Sequence, residues 1–170
     1  MNPRLNRLEA DYRELRKRFD GDPNIIIQPN GALPPERYTV IYKVPSLRLS
    51  STNSVVVVDQ TVIQVVLPAT YPKERPFVTS IDLVFHPNFG MDQSVCIADW
   101  WSPARSLADI FVEIGDMLQM RKYNVQSPLN AQAAEWSVTN ESTFPIGQVD
   151  LGITDVVISL GKVITQNEER

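Results

Sequence analysis

Residues 84–103 read VFHPNFGMDQSVCIADWWSP, and the interpretation of the whole chain starts from this stretch. It holds His86 and Cys96, the one histidine and the one cysteine among 170 residues. Its proline, glycine, asparagine and aspartate residues argue against one continuous helix or strand. A lone cysteine is a candidate nucleophile, but an isolated cysteine is more often a small buried side chain. The motifs around Cys96 must therefore decide between these two interpretations.

Length and composition predict one globular domain, with or without an appendage. The chain is 43% hydrophobic and 21% charged, which is ordinary for a globular protein. One cysteine cannot form an internal disulfide, and one cysteine with one histidine cannot build a structural zinc site. We therefore expect no metal, no cofactor and a reducing, cytoplasmic environment. The N-terminus lacks the apolar core of a signal peptide, and no apolar run is long enough for a membrane span.

The charge is unevenly distributed along the chain. The net charge is −4, yet residues 4–18 carry six arginines and lysines against three acidic residues. A basic segment on an acidic body favours local docking of an acidic partner. Basic and aromatic residues do not interleave as a base-stacking surface requires, so we expect no nucleic-acid partner.

The first 85 residues predict a helix followed by an antiparallel sheet. Apolar residues at spacings of three and four predict an amphipathic helix over residues 3–19, with Pro3 in its first turn. Segments rich in valine, isoleucine, threonine and tyrosine follow, separated by turn residues. They are residues 24–28, residues 38–44, residues 55–58 continuing into 61–67, and residues 78–85. Because the connections are too short for crossover helices, these segments predict a four-stranded antiparallel meander.

Two further helices are predicted after the central stretch. Ser102 before Pro103 is a good N-cap for an apolar stripe that runs to residue 120. Ser127 before Pro128 predicts the start of another helix in the same way. The fold class is therefore α+β.

The C-terminal part of the sequence is less regular. We predict a core domain over residues 1–138 and an extension over residues 139–170 that packs on or beside it. Residues 149–164 are apolar at a spacing that suits either a helix or a strand.

Five motifs occur in a fixed order between residues 71 and 130, and the pattern that contains them covers about residues 3–136. They are Tyr71-Pro72 with Pro76, His86-Pro87-Asn88, Cys96 eight residues after Asn88, Trp101-Ser102-Pro103-Ala104, and Ser127-Pro128-Leu129-Asn130. This ordered set resembles the ubiquitin-conjugating enzymes, the middle enzymes of ubiquitin-type transfer cascades. The resemblance implies that an activating enzyme passes a ubiquitin-like modifier to Cys96 as a thioester. The modifier then goes to an amine acceptor, usually a lysine, with or without a ligase.

The resemblance also implies roles for the residues around Cys96. Asn88 would donate a hydrogen bond to the tetrahedral oxyanion, and the alternative is a purely structural brace for the loop that carries Cys96. His86 would be structural, tied to backbone in a turn that Pro87 holds. The alternative for His86 is a catalytic base.

Acidic or polar residues near the cysteine could lower the pKa of an incoming lysine. Asp99 and Ser127 are the candidates for this gate or acceptor-side role, and Tyr123 is a weaker one. The alternative for Asp99 and Ser127 is ordinary helix capping. Trp100 and Trp101 are expected to pack beneath the active-site loop.

The basic first helix is, by resemblance, where the activating enzyme docks. The exposed cations in question are Arg13, Arg16 and Lys17. The alternative is a solvated surface helix that only packs one apolar stripe on the core.

The sequence also departs from the family pattern. The chain between Cys96 and Trp101 is a few residues shorter than in the common eukaryotic members, and the last family helices are not recognisable in residues 139–170. Such a compact form resembles prokaryotic members that work beside a dedicated activating enzyme and modifier, sometimes in antiviral (antiphage) defence.

Two other functions stay open at this stage. The first is a non-catalytic module of the same fold that binds a ubiquitin-like partner. The second is a thiol hydrolase, which would need His86 in contact with Cys96.

Overall fold

The computed structural model describes residues 2–97 and 100–153. Helix α1 spans Pro3–Phe19 and is followed by six strands: β1 Ile25–Asn30, β2 Arg37–Tyr42, β3 Ser46–Leu49, β4 Val55–Val58, β5 Thr61–Val66 and β6 Phe77–Ser80. Helices α2 (Leu107–Leu118) and α3 (Ala131–Thr139) and a short 3₁₀ turn at Glu141–Thr143 complete the order. The predicted α+β fold with an N-terminal helix, an antiparallel sheet and C-terminal helices is confirmed.

The main sheet is antiparallel, and its strands lie in the order β1–β2–β5–β6. Each strand pairs with its neighbour in this order, as in a meander. Strand β1 lies at the edge, which is where the sheet can accept Pro29. Helices α1 and α2 cover the inner face and share one core with it. Tyr42 shows this packing, because its buried hydroxyl donates to the carbonyl of Phe111 on α2 at 2.9 Å.

A bulge bends the central hairpin and separates β3 and β4 as a second, two-stranded sheet. Tyr42 faces Thr61 and Ser46 faces Val58, which leaves three residues on one strand opposite two on the other. Such an extra residue kinks a hairpin locally. The hydroxyls of Ser46 and Thr61 hydrogen-bond across the bend at 2.7 Å. The predicted third strand is therefore present as β4 and β5.

Both predicted helix starts at Ser-Pro pairs are wrong. Ser102 and Pro103 form a turn in which the Arg105 N–H donates to the Ser102 carbonyl, and α2 begins after Ser106. The Ser106 hydroxyl accepts from the Asp109 N–H at 3.2 Å. In each case another capping residue a few positions downstream takes the cap, and the Ser-Pro pair lies in the loop before it.

The second Ser-Pro pair shows the same displacement. Helix α3 begins at Ala131, with Asn130 as its N-cap, so Ser127 is not the cap. The Asn130 side-chain oxygen accepts from the Ala133 N–H at 3.0 Å. The Asn130 and Leu129 N–H groups both donate to the Pro87 carbonyl, which ties the start of α3 to the central stretch.

The predicted fourth strand ends earlier than expected. Strand β6 stops at Ser80 instead of continuing to Phe85. The chain leaves the sheet there, and the Phe85 N–H donates to the Leu47 carbonyl at the bent hairpin.

The segment after α3 returns to the core. Leu151 is buried against Gly115, where a Cβ on the glycine would come within 2.3 Å of Leu151 Cδ1. The Gln119 side chain hydrogen-bonds both the N–H and the carbonyl of Val149. Residues 154–170 lie outside the described residues, so the predicted division at residue 138 stays a prediction. Within residues 2–97 and 100–153, no helix is long and apolar enough to cross a membrane.

Candidate active site

The loop that carries Cys96 folds back on itself as a narrow hairpin. Phe89 lies opposite Val95 in an isolated antiparallel bridge. This places Asn88 opposite Cys96, whose N–H donates to the Asn88 carbonyl at 2.9 Å. Gly90 permits the tight turn, since a Cβ there would come within 2.3 Å of Asp92 Oδ1. The eight-residue spacing from Asn88 to Cys96 thus follows from the geometry of this hairpin.

Among the described residues, one hydrogen bond fixes the side chain of Asn88. Its Oδ1 accepts from the Asn124 N–H at 2.9 Å. Because a backbone N–H can only donate, this contact assigns the oxygen of the carboxamide and leaves Nδ2 as the other end. Within residues 2–97 and 100–153, the Asn88 amide therefore keeps its N–H donors for a further partner.

Both ring nitrogens of His86 are engaged by backbone groups. Nδ1 accepts from the Asn88 N–H at 3.0 Å, so Nε2 carries the proton and donates to the Lys122 carbonyl at 3.1 Å. The ring is buried, and burial lowers the pKa of His86 to about 3. A neutral imidazole held this way cannot serve Cys96 as a base, which removes the geometric support for the hydrolase alternative. The structural role of His86 and Pro87 remains a prediction that this geometry supports.

An open cleft of about 580 Å³ lies beside Cys96. One wall is the chain after the cysteine, with Trp100 and Arg105, and the other is the loop after α2, with Lys122 and Asn124. The cysteine is half-buried at this cleft, and Asn88 lines it as well. The structure therefore brings the two predicted chemical residues, Cys96 and Asn88, to one opening in the surface.

The two tryptophans after the cysteine differ. Trp101 packs against residues 71 and 72, with its ring against Tyr71 and its Nε1 donating to the Pro72 carbonyl at 2.8 Å. Trp100 is 76% exposed at the cleft, so the expectation that it packs beneath the loop is wrong.

Of the predicted gate and acceptor-side residues, the structure describes Ser127 and Tyr123. Asp99 lies outside the described residues. Ser127 is exposed and is not among the described residues that line the cleft, although its N–H donates to Asn124 Oδ1 at 3.3 Å. Tyr123 does line the cleft, and its hydroxyl donates to Glu141 at 3.4 Å.

The three cations of α1 predicted to dock a partner differ from Arg7 on the same helix. Arg13, Arg16 and Lys17 are exposed, and Arg16 makes an ion pair with Asp20 that is itself solvent-exposed. Arg7 is instead used inside the protein, where it binds Asp11 and the Tyr71 hydroxyl and also the carbonyls of the loop after Trp101. The exposed trio predicted to dock a partner is thus distinct from the structural arginine.

Four residues that line the cleft could not be predicted as site residues from the sequence pattern. Glu113 and Met117 come from α2, and Lys122 and Asn124 come from the loop that follows it. They lie 17 to 28 residues after Cys96. Only the packing of α2 against the sheet brings them to the cysteine, so local spacing could not find them.

Comparison with known proteins agrees with this architecture. The family model described as ubiquitin-conjugating enzyme matches residues 60–146, about half of the chain. The chain is 32% identical over 81 residues to the NEDD8-conjugating enzyme Ubc12 of Dictyostelium discoideum, which covers 46% of this chain and 34% of that protein. It is 32% identical over 77 residues to the ubiquitin-conjugating enzyme E2 3 of Arabidopsis thaliana, covering 44% of this chain and 50% of that protein.

A third relative is the ubiquitin-conjugating enzyme E2 1 of Caenorhabditis elegans, 37% identical over 68 residues, covering 38% of this chain and 34% of that protein. The matches thus span between a third and a half of the length of these three relatives. The fold and the cleft define an α+β protein built around one cysteine in a hairpin loop. The chain belongs to the ubiquitin-conjugating enzyme family.

Proposed function

We propose that this chain accepts a ubiquitin-like protein from an activating enzyme as a thioester on Cys96 and transfers it to an amine acceptor, usually a lysine. The observation that carries the proposal is that Cys96 and the oriented carboxamide of Asn88 line the same cleft. A ligase is an optional further partner. No nucleic acid and no membrane take part.

Two steps account for the reaction. In the first, the Cys96 thiolate attacks the carbonyl carbon of the donor thioester, a new C–S bond forms, and the thiolate of the activating enzyme leaves. In the second, a neutral amine attacks the Cys96 thioester, a C–N bond forms, the Cys96 thiolate leaves, and the amine loses a proton to solvent. The amine attack is the harder step, and its tetrahedral oxyanion is the one that the Asn88 amide N–H would stabilise.

The charging assay tests the first step. Relatives of this chain are named for ubiquitin and for NEDD8, so each modifier is incubated with its activating enzyme, ATP and this protein. We expect an adduct that reductant removes, no adduct with Cys96→Ala, and a reductant-resistant oxyester with Cys96→Ser. An adduct on Cys96→Ala would contradict the proposal. Modifier binding by a wild-type protein that is never charged would favour the non-catalytic module.

Asn88→Asp separates the two roles open for Asn88. Aspartate keeps an oxygen for the Asn124 N–H but has no amide hydrogen to donate. If Asn88 stabilises the oxyanion, discharge of the Cys96 thioester to lysine should slow by roughly 10²–10³. If Asn88 is only a brace, discharge should stay close to the wild-type rate.

The exposed cations of α1 give the proposal a docking surface. Arg13, Arg16 and Lys17 point away from the core, so they are available to an acidic partner. In the same assay, reversing these three residues to glutamate should slow charging and leave discharge of preformed thioester unchanged. Equal charging rates would return α1 to a purely structural role. The gate role of Asp99 and Ser127 stays part of the proposal as a source of acceptor activation.

A further inference from the structure

One buried carboxylate at the base of the cleft joins its two walls. Glu113 lies on α2 and is 7% exposed. Its Oε1 accepts from the Lys122 ammonium at 2.5 Å, and its Oε2 pairs with the guanidinium of Arg105. Arg105 belongs to the chain that follows Cys96, and Lys122 belongs to the loop that follows α2. Both loops that flank the nucleophile are therefore attached to the same side chain.

The Lys122 end of this network leads directly to Asn88. The Lys122 carbonyl accepts from His86 Nε2, and two residues later the Asn124 N–H donates to Asn88 Oδ1. The segment 122–124 is thus held by Glu113 on one side and by the His86-Pro87-Asn88 turn on the other. A shift of this segment would move the only described contact that orients the Asn88 carboxamide.

Stability alone does not explain a glutamate at this position. The buried residues of α2 are otherwise almost all apolar. A buried ion pair is often no more stabilising than well-packed apolar residues of similar volume, because the charges lose their hydration. What the carboxylate provides and an apolar side chain lacks is a directed attachment to both loops.

We propose that Glu113 is a positioning residue that sets the Asn88 carboxamide, through Lys122, for transfer of the modifier to the amine. This role rests on the proposed function of Cys96 and Asn88. Glu113 itself does not touch the reacting atoms. It fixes the segment 122–124, and the Asn124 N–H in this segment orients the Asn88 carboxamide.

The first test measures the orienting contact without any modifier. Amide hydrogen exchange at Asn124, followed by NMR, reports the hydrogen bond to Asn88 Oδ1. Glu113→Gln keeps the size of the side chain but has one oxygen for two cations. We expect the Asn124 amide to exchange about tenfold faster in this variant, as for loss of one ordinary hydrogen bond.

Asp116→Asn is the matched control. Asp116 lies on the same helix and pairs with Arg121, which is the neighbour of Lys122 in the chain. It does not line the cleft among the described residues. We expect Asn124 exchange in this variant to equal the wild-type value.

The second test follows the chemistry with a defined probe. A peptide ending in Gly-Gly as the thioester of a small thiol loads Cys96 by thioester exchange, and free lysine then discharges it. Glu113→Gln should lower the maximum discharge rate about tenfold, less than complete loss of an oxyanion donor. The loading rate and the lysine concentration at half-maximum rate should not change, since a general loss of stability would affect loading as well.

A double-mutant cycle decides whether Glu113 acts through Lys122. Lys122→Met removes the charge and keeps the length of the stem. The double variant should discharge no more slowly than the slower single variant, because both interrupt one path. Independent, multiplying effects would overturn the proposal, as would wild-type exchange at Asn124 in Glu113→Gln. If the wild-type Cys96 loads but never transfers to lysine, the proposed function fails, and the Asn124 exchange still decides the role of Glu113.

Discussion

His86 shows at the scale of one residue how a conspicuous side chain can be withdrawn from the chemistry. Its ring lies between the Asn88 N–H and the Lys122 carbonyl, and burial keeps it neutral. The protein thus uses its one histidine to join the turn before Cys96 to the loop after α2. Both ring nitrogens of His86 are therefore used by backbone groups.

This burial predicts a specific pH dependence of stability. The pKa of His86 is about 3 in the folded protein and near 6.5 in the unfolded chain, so the unfolded chain binds the proton more readily as the pH falls below 6.5. The contribution of the neutral ring is complete above pH 6.5 and is lost progressively toward pH 3. Compared with His86→Asn, the wild-type advantage in unfolding free energy should shrink by about 2 kcal/mol between pH 7 and pH 5. Denaturant titrations at both pH values measure it, and a constant difference would contradict the buried neutral ring.

The residues of the site divide by how far apart they lie in the sequence. Cys96 and Asn88 could be predicted because one short hairpin sets their spacing. Glu113 and Asn124 could not, since their proximity depends on where α2 packs. The sequence predicted a packed Trp100, whereas its side chain is exposed. Adjacent residues in an irregular loop can face opposite environments, and no periodicity in the sequence shows which of them is buried.

At the scale of an element, α1 combines two kinds of arginine with the same local spacing. Arg7 pairs with Asp11 at 2.8 Å, and Arg16 pairs with Asp20 at 2.7 Å, both four residues apart. The first pair is mostly shielded from water, and Asp11 also accepts from the Tyr71 hydroxyl at 2.6 Å. The second pair is open to solvent on both sides. Only the first pair should therefore contribute measurably to stability.

Replacing each arginine by methionine tests this difference. Arg7→Met leaves the Asp11 carboxylate buried without its cation and should lower the unfolding free energy by about 3 kcal/mol. Arg16→Met should leave it unchanged within error, because water solvates both partners. Denaturant unfolding at pH 7 measures both variants, and equal losses would show that burial does not distinguish the two pairs.

The elements themselves were predicted to different degrees. The limits of α1 follow from its apolar periodicity and from the residues that end it. Helices α2 and α3 were predicted to begin too early, because a Ser-Pro pair suits the turn before a helix as well as its first turn. Propensity cannot choose between Ser102 and Ser106, whereas the tertiary contacts of the loop can.

At the scale of the whole molecule, the segment after α3 behaves as part of the core. Leu151 fills the notch left by Gly115, and the Gly152 N–H donates to Asp22 at 2.8 Å near the end of α1. Leu151→Ala should cost about 3 kcal/mol of unfolding free energy, as for other buried leucines. Ile153→Ala, at a side chain that is 66% exposed, should cost less than about 0.5 kcal/mol. Thermal unfolding of the two variants is the measurement, and similar losses would show that the notch contact carries no stability.

The Gly115 notch has a consequence for any attempt to recombine this protein with its relatives. The region that matches the family model ends at residue 146, whereas Leu151 lies five residues beyond it. Gly115 lies two residues after Glu113 on α2. The contact with Leu151 and the ion pairs at the cleft are therefore made by the same helix. A chimaera joined at residue 146 would contain Cys96 and its hairpin. It would lack Leu151, the side chain that packs against Gly115 of α2. In this chain, the end of the family match and the end of the folded core therefore lie at different residues.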